Sequence, residues 1–358
     1  MNRLSPIFAL LSASLLVGGC ATHRPVGRTA PDAQPDEPNS IARVQALSPD
    51  VRRRILALNP ECVTELDIQG LLSTNPAPRI ININGGILPI KSGMNSFAQF
   101  LMDMGYPESS LRHPGNGDYT YGYYDRSLEI AGSVAWYYEH DGMRPMLMGH
   151  SQGGIQTIRV LYRLASNSPT RLTVWNPLTM TDEKRYEICD PFTGRSRPAA
   201  GLQVCYATAA CSGGLARLLP NEWDMNNKLR EIPDSVEEFT GFQKGMDPFG
   251  GDFLGFGSAN DYRPIGQAKV RNVRLPASSV HWTIPYADRL LKNPSLKEAI
   301  ADYEPSDPGQ ERTGSSADLV RNNGQALWAA EVWHGIKKHW VLELQHLILV
   351  QSANHHDS

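Results

Sequence analysis

Apolar positions along the chain fall into two kinds of run. Short runs at residues 79–84, 146–148, 171–176, 202–207 and 270–275 have the length and the β-branched or sulfur-rich character of buried strands. Longer stretches place apolar side chains at helical spacing. These are residues 48–58 with Val51, Ile55 and Leu58, and residues 94–104. They continue with residues 126–141 with Leu128, Ala131, Val134, Ala135 and Tyr138, and residues 155–164 with Ile155, Ile158, Leu161 and Leu164. A helical run at 284–291 follows, and a long striped helix at 327–350 carries Trp333, Ile336, Trp340, Leu344 and Leu347. Strands alternating with helices predict an α/β fold, with a mostly parallel central sheet covered by helices on both faces. Residues 178–251 break the alternation and are expected to form a cap or insertion over one end of the sheet. The alternative for that stretch is an ordinary excursion between core strands.

The sharpest local pattern joins the run at 146–148 to the helix that begins near Ile155. Between them lies Gly149-His150-Ser151-Gln152-Gly153, which reads G-x-S-x-G. A serine at the tip of so tight a strand-to-helix turn sits in a strained backbone conformation. Side chains two residues before and after it would collide with the neighbouring strand and helix, so both positions are bare. Gln152 offers its backbone N–H at the start of the helix, where negative charge is favoured.

Gly-His-Ser-Gln-Gly in this setting resembles the nucleophile turn of the α/β-hydrolase family, and many of its lipases and esterases carry that form. The resemblance implies Ser151 as nucleophile and an oxyanion hole made by two backbone N–H groups. One belongs to Gln152 and the other to Gly86 or Ile87, in the Gly85-Gly86 loop after the strand at 79–84. It also implies the chain order serine, acid, histidine. Of the ten histidines, His23 lies in the N-terminal segment, His355 and His356 lie at the end, and His113, His140 and His150 precede the serine. His334, His339 and His346 fall within the long final helix. His281 follows the strand at 270–275 and precedes a helical run, so it is the expected base. Asp261 is the first choice for the acid, on a loop before that strand, with Asp252 and Asp247 as alternatives. Asp224, Asp234 and Glu222 stay open because the irregular stretch blurs strand order. His150 is expected to point away from the turn into sheet–helix packing.

The remaining composition changes the picture at the chain's start. Thirty-four basic and 37 acidic residues give a net charge of −3, and no basic stripe suggests nucleic acid. Residues 7–17 are mostly apolar but too few to span a bilayer comfortably. They lead to Leu16-Val17-Gly18-Gly19-Cys20, which resembles the lipobox of bacterial lipoproteins. That resemblance implies a signal peptide over residues 1–19, acylation of Cys20, and a partner membrane reached through an N-terminal lipid anchor. Ala21 rather than aspartate favours the outer membrane. Residues 20–45 read as a tether rich in Pro, Thr, Asp and Gln, 46–350 as the domain, and 351–358 as a tail.

Cys62, Cys189, Cys205 and Cys211 are consistent with two disulfides in an oxidising compartment or with free thiols. No C-x-x-C occurs, and no metal or cofactor is expected. The sequence therefore points to a serine hydrolase of carboxylic esters, with a small-molecule or lipid ester as substrate. A peptidase, thioesterase or amidase would use the same groups. The alternative from another class is a non-catalytic envelope binding or scaffold lipoprotein.

Overall fold

The computed structural model describes residues 39–356, except 87, 124, 168–170, 215–218, 251–260 and 306–314. Cys20 and the segment around it lie outside the described residues.

Five strands form the central sheet: β1 (Ile80–Ile83), β2 (Met146–His150), β7 (Val204–Ala210), β9 (Val236–Lys244) and β11 (Lys269–Leu275). They lie side by side in that order. All four neighbouring pairs run parallel, so all five carboxyl ends share one edge. Short ladders complete the strands. β3 (Trp175–Asn176) pairs with β4 (Thr181–Asp182) and β5 (Glu187–Cys189) with β6 (Ser196–Pro198), both antiparallel. β8 (Glu231–Ile232) pairs with β10 (Arg263–Pro264) in parallel.

Among the described residues nine α-helices surround the sheet: α1 (Ser40–Gln45), α2 (Pro49–Leu56), α3 (Glu65–Gly70), α4 (Leu88–Asp103), α5 (Ser127–Asp141), α6 (Gln152–Leu164), α7 (Pro294–Ala301), α8 (Ser315–Arg321) and α9 (Gly324–His356). The sheet divides two cores. Met146 and Met148 of β2 face the core shared with α4 and α9, while Leu147 faces the core shared with α5 and α6. This is the period-two alternation of a strand buried on both sides. Helix α9 lays Trp328, Trp333 and Trp340 against the first core, each fully buried. The Phe97 ring lies 4.5 Å from Trp328, and Tyr106 lies 4.8 Å from Trp340.

Several boundaries differ from the sequence reading. The expected cap at 178–251 contains β7 and β9, two strands of the central sheet, so it is not one insertion. The run at 171–176 contributes only the two residues of β3 to a hairpin. The expected tether is already structured from Ser40: α1 buries Ser40 and Val44, and its Asn39 cap accepts from the Ala42 N–H. The expected tail continues α9, where Gln351 is buried and donates to the Ile41 carbonyl. Cys62, Cys189, Cys205 and Cys211 are free thiols, the last two buried.

Candidate active site

Each strand of the sheet delivers something to the shared edge. β2 ends at His150 and α6 begins at Gln152, leaving Ser151 alone on the turn with φ 57° and ψ −125°. Left-handed backbone at a non-glycine residue costs roughly 1–3 kcal/mol and persists only where its surroundings fix it. The surroundings here are steric. A Cβ at Gly149 would meet the Gly153 carbonyl oxygen at 2.5 Å, and a Cβ at Gly153 would meet the Ile83 carbonyl oxygen at 2.1 Å. The Ser151 N–H donates to the Ala210 carbonyl at 2.8 Å, tying the turn to the end of β7.

His281 follows β11 in a single 3₁₀ turn and is 5% exposed. Its Nε2 lies 3.0 Å from Ser151 Oγ, and its Nδ1 lies 2.7 Å from Asp247 Oδ2. Asp247 follows β9 and is 2% exposed. The other carboxylate oxygen accepts from the N–H groups of Phe249 at 3.1 Å and Gly250 at 3.3 Å. Burial alone would raise this carboxyl. The hydrogen bond and charge of His281, with the two backbone donors, outweigh burial and hold it below the ordinary carboxylate range. An ionised Asp247 takes the Nδ1 proton as a hydrogen bond, so the Nε2 lone pair faces the serine hydroxyl.

Gly250 packs closely against this group. A Cβ there would meet the Cys211 carbonyl oxygen at 1.7 Å and His281 Cε1 at 2.4 Å. Met246 and Cys211, with φ of 57° and 49°, join Ser151 among the left-handed residues at the carboxyl ends of the strands. Three outliers on one edge mark a region whose geometry is over-determined.

Asp261 does not reach the histidine. It accepts from Gln243 Nε2 and Arg274 Nη2, both at 3.1 Å, in a half-exposed ion pair. The expected assignment of Asp261 is therefore corrected to Asp247, one of the two alternatives. The other, Asp252, lies outside the described residues, as does Ile87. Among the remaining acids, Asp234 Oδ1 accepts from the backbone of Gln267 and Ala268. Glu222 and Asp224 pair with Arg159 at 2.8 and 3.0 Å.

Compared with known proteins, the chain matches no family model, no curated protein and no solved structure. Its chemistry is therefore argued from its own atoms.

Gly85 and Gly86 lie beside Ser151 and Gln152. A Cβ on Gly85 would sit 3.2 Å from Ser151 Cβ, and one on Gly86 would sit 2.0 Å from the Gln152 amide oxygen. The Gln152 N–H starts α6 and has no partner within its helix. Tyr123 flanks Gly86, and its hydroxyl accepts from Asn221 Nδ2.

His150 is buried in packing, as expected, and that packing includes the other histidine of the site. Its ring centroid is 5.0 Å from that of His281. It is fully buried, and neither ring nitrogen has a hydrogen-bond partner. Burial, then the proximity of His281, pushes its pKa well below the ordinary histidine value, so it stays neutral.

Cys211 Sγ, an Asp247 oxygen and a His281 nitrogen lie within 4.8 Å of one another. This is the one potential metal-donor group among the described residues. Two of its three members are already joined by the 2.7 Å hydrogen bond. Burial, then Asp247, pushes the Cys211 thiol up, so it stays protonated. The other candidate histidines belong to packing. His339 stacks 5.3 Å from Tyr206, His346 meets Phe192 at 5.5 Å, and His334 faces Glu61 at 3.5 Å.

Proposed function

We propose that this protein is a serine hydrolase of α/β-hydrolase type that cleaves carboxylic esters, anchored to a bacterial envelope membrane through a lipid on Cys20. The observation that carries the catalytic part is the continuous relay from Asp247 through His281 to Ser151. Its links are 2.7 and 3.0 Å, and the serine is held left-handed at the carboxyl end of β2. A free serine hydroxyl is a weak nucleophile near neutral pH and needs a positioned base.

In the first half-reaction His281 Nε2 takes the Ser151 proton as Oγ bonds to the ester carbonyl carbon. The carbonyl oxygen becomes an oxyanion stabilised by the N–H groups of Gln152 and of Gly86 or Ile87. Such a donor contributes roughly 2.7–4 kcal/mol to barrier lowering. His281 then gives its proton to the departing alkoxide oxygen, leaving an acyl-serine and a free alcohol. In the second half-reaction His281 takes a proton from water, whose oxygen attacks the acyl carbon. The proton returns to Ser151 Oγ and the carboxylic acid leaves. Asp247 remains ionised throughout and stabilises the imidazolium in both halves.

The test is labelling by a fluorophosphonate, with the adduct located by peptide mass spectrometry. Labelling at Ser151 that disappears in Ser151→Ala and His281→Ala supports the reading. A folded wild-type protein that takes no label and turns over no ester refutes it and turns attention to a non-catalytic binding role.

A further inference from the structure

Water-exposed large apolar side chains are scattered over most protein surfaces, and their clustering at one place marks a binding face. Four of those exposed here stand within two residues of Gly86, Asp247 or His281 in the chain. Leu88, two residues after Gly86, is 76% exposed, and Met246, one before Asp247, is 72% exposed. Phe249, two after Asp247, is 49% exposed, and Val280, one before His281, is 50% exposed. The Phe249 ring lies 6.2 Å from the His281 ring and 4.7 Å from Trp282, which itself lies 5.0 Å from His281. Two aromatic rings thus border the imidazole, and that of Phe249 is half open to water. Tyr123 is buried and flanks Gly86. No ion pair among the described residues involves any of these side chains.

We propose that the site takes esters bearing a hydrocarbon chain of several carbons, laid over the rim formed by Leu88, Tyr123, Met246, Phe249, Val280 and Trp282. This rests on the hydrolase reading above. Four of the six are left open to water at a substantial cost in apolar exposure, and a chain lying on them removes both its own methylenes and these side chains from water. The rim reaches both the oxyanion side, through Leu88 and Tyr123, and the histidine side, through Phe249 and Trp282. The chain therefore belongs to the acyl part of the ester or to its alcohol part, and the test covers both.

Two substrate series are offered to the purified protein, each below its aggregation limit: p-nitrophenyl esters from acetate to decanoate, and alkyl acetates from ethyl to decyl. In at least one series kcat/KM rises about two- to four-fold per added methylene, as expected for a CH₂ partly to fully buried. The double variant Met246→Asn, Phe249→Ser reduces the long-to-short ratio at least ten-fold, and asparagine tolerates the left-handed backbone at 246. Leu349→Ser, at a residue 57% exposed on α9, is the surface control and leaves the ratio unchanged. Flat series in both directions, or an unaltered ratio in the double variant, overturn the proposal.

Fluorophosphonate labelling of Ser151 is read on every variant. A labelled protein with flat series fails on the chain alone, whereas an unlabelled and inactive protein fails on the hydrolase reading. A second arm offers the favoured ester free and dispersed in phosphatidylcholine vesicles. Turnover in vesicles assigns the chain to a membrane source, and turnover of the free ester alone assigns it to a soluble one. Both results support the proposal.

Discussion

Replacing Asp247 by asparagine separates the acid read from the structure from the acid favoured by sequence. The substitution is nearly isosteric. The asparagine oxygen is able to keep the two backbone hydrogen bonds from Phe249 and Gly250, at 3.1 and 3.3 Å. Its amide NH₂ then faces His281 Nδ1, 2.7 Å away in the wild type. Two donors cannot share that contact, so Nδ1 gives up its proton and the neutral imidazole carries it on Nε2. That proton points at Ser151 Oγ, 3.0 Å off, and the base has no lone pair for the serine. Loss of the correct tautomer with geometry retained lowers kcat by about 10⁴ in serine proteases of the chymotrypsin type. At 1.36 kcal/mol per decade this is about 5.4 kcal/mol. Asp261→Asn disturbs only the half-exposed contacts with Arg274 and Gln243 and should change the rate less than two-fold. The assay is the second-order rate of fluorophosphonate labelling at Ser151, with far-UV circular dichroism as the fold control. A folded Asp247→Asn protein within ten-fold of wild type, or a larger loss in Asp261→Asn, would refute the reasoning.

Other consequences are equally direct. Gly153→Ala sets a Cβ 2.1 Å from the Ile83 carbonyl oxygen, an obstruction by backbone that cannot rotate away. It should cost about 3 kcal/mol, at the upper end of overpacking, and a urea midpoint matching wild type would contradict this. His113 is 6% exposed and accepts from the N–H of Gly115 at 3.0 Å; burial, then Arg79, lowers its pKa from 6.5 to about 4. The unfolded chain therefore binds the extra proton between those values, and stability present above pH 6.5 is lost as the pH falls toward 4. The loss attributable to this residue is about 3 kcal/mol. His113→Asn keeps an acceptor and should flatten that part of the stability–pH curve, and an unchanged curve would show that other groups set it. With four free thiols in the folded domain, dithiothreitol should leave Tm unchanged, and a drop of several degrees would reveal a disulfide.

The serine turn was legible because all of its constraints are local. Five consecutive residues carry the strained serine, both bare neighbours and the first N–H of the helix. The strand-loop-histidine order around His281 was legible for the same reason, and so was the alternation that makes a parallel sheet. The acid was misplaced because β9 does not look like a buried strand. Its residues include Glu237, Glu238, Gln243 and Lys244. Glu237 pairs with Arg144 at 2.7 Å and Glu238 with Lys338 of α9 at 2.8 Å. Those partners are 93 and 100 residues away in the chain. With β9 read as part of an insertion, the search for an acid moved past its end, where Asp247 stands, to the loop before β11.

The sequence alone thus determined the strained serine turn, its steric shell and the class of fold, since each follows from residues within one turn or one repeat. The tertiary structure decided which carboxylate meets His281, that His150 lies against it, and that Phe249 and Trp282, from two separate loops, border its ring. Those are statements about which strand ends become neighbours. Neighbouring is set by the order of strands in the sheet and by ion pairs across long sequence distances, which no local pattern records.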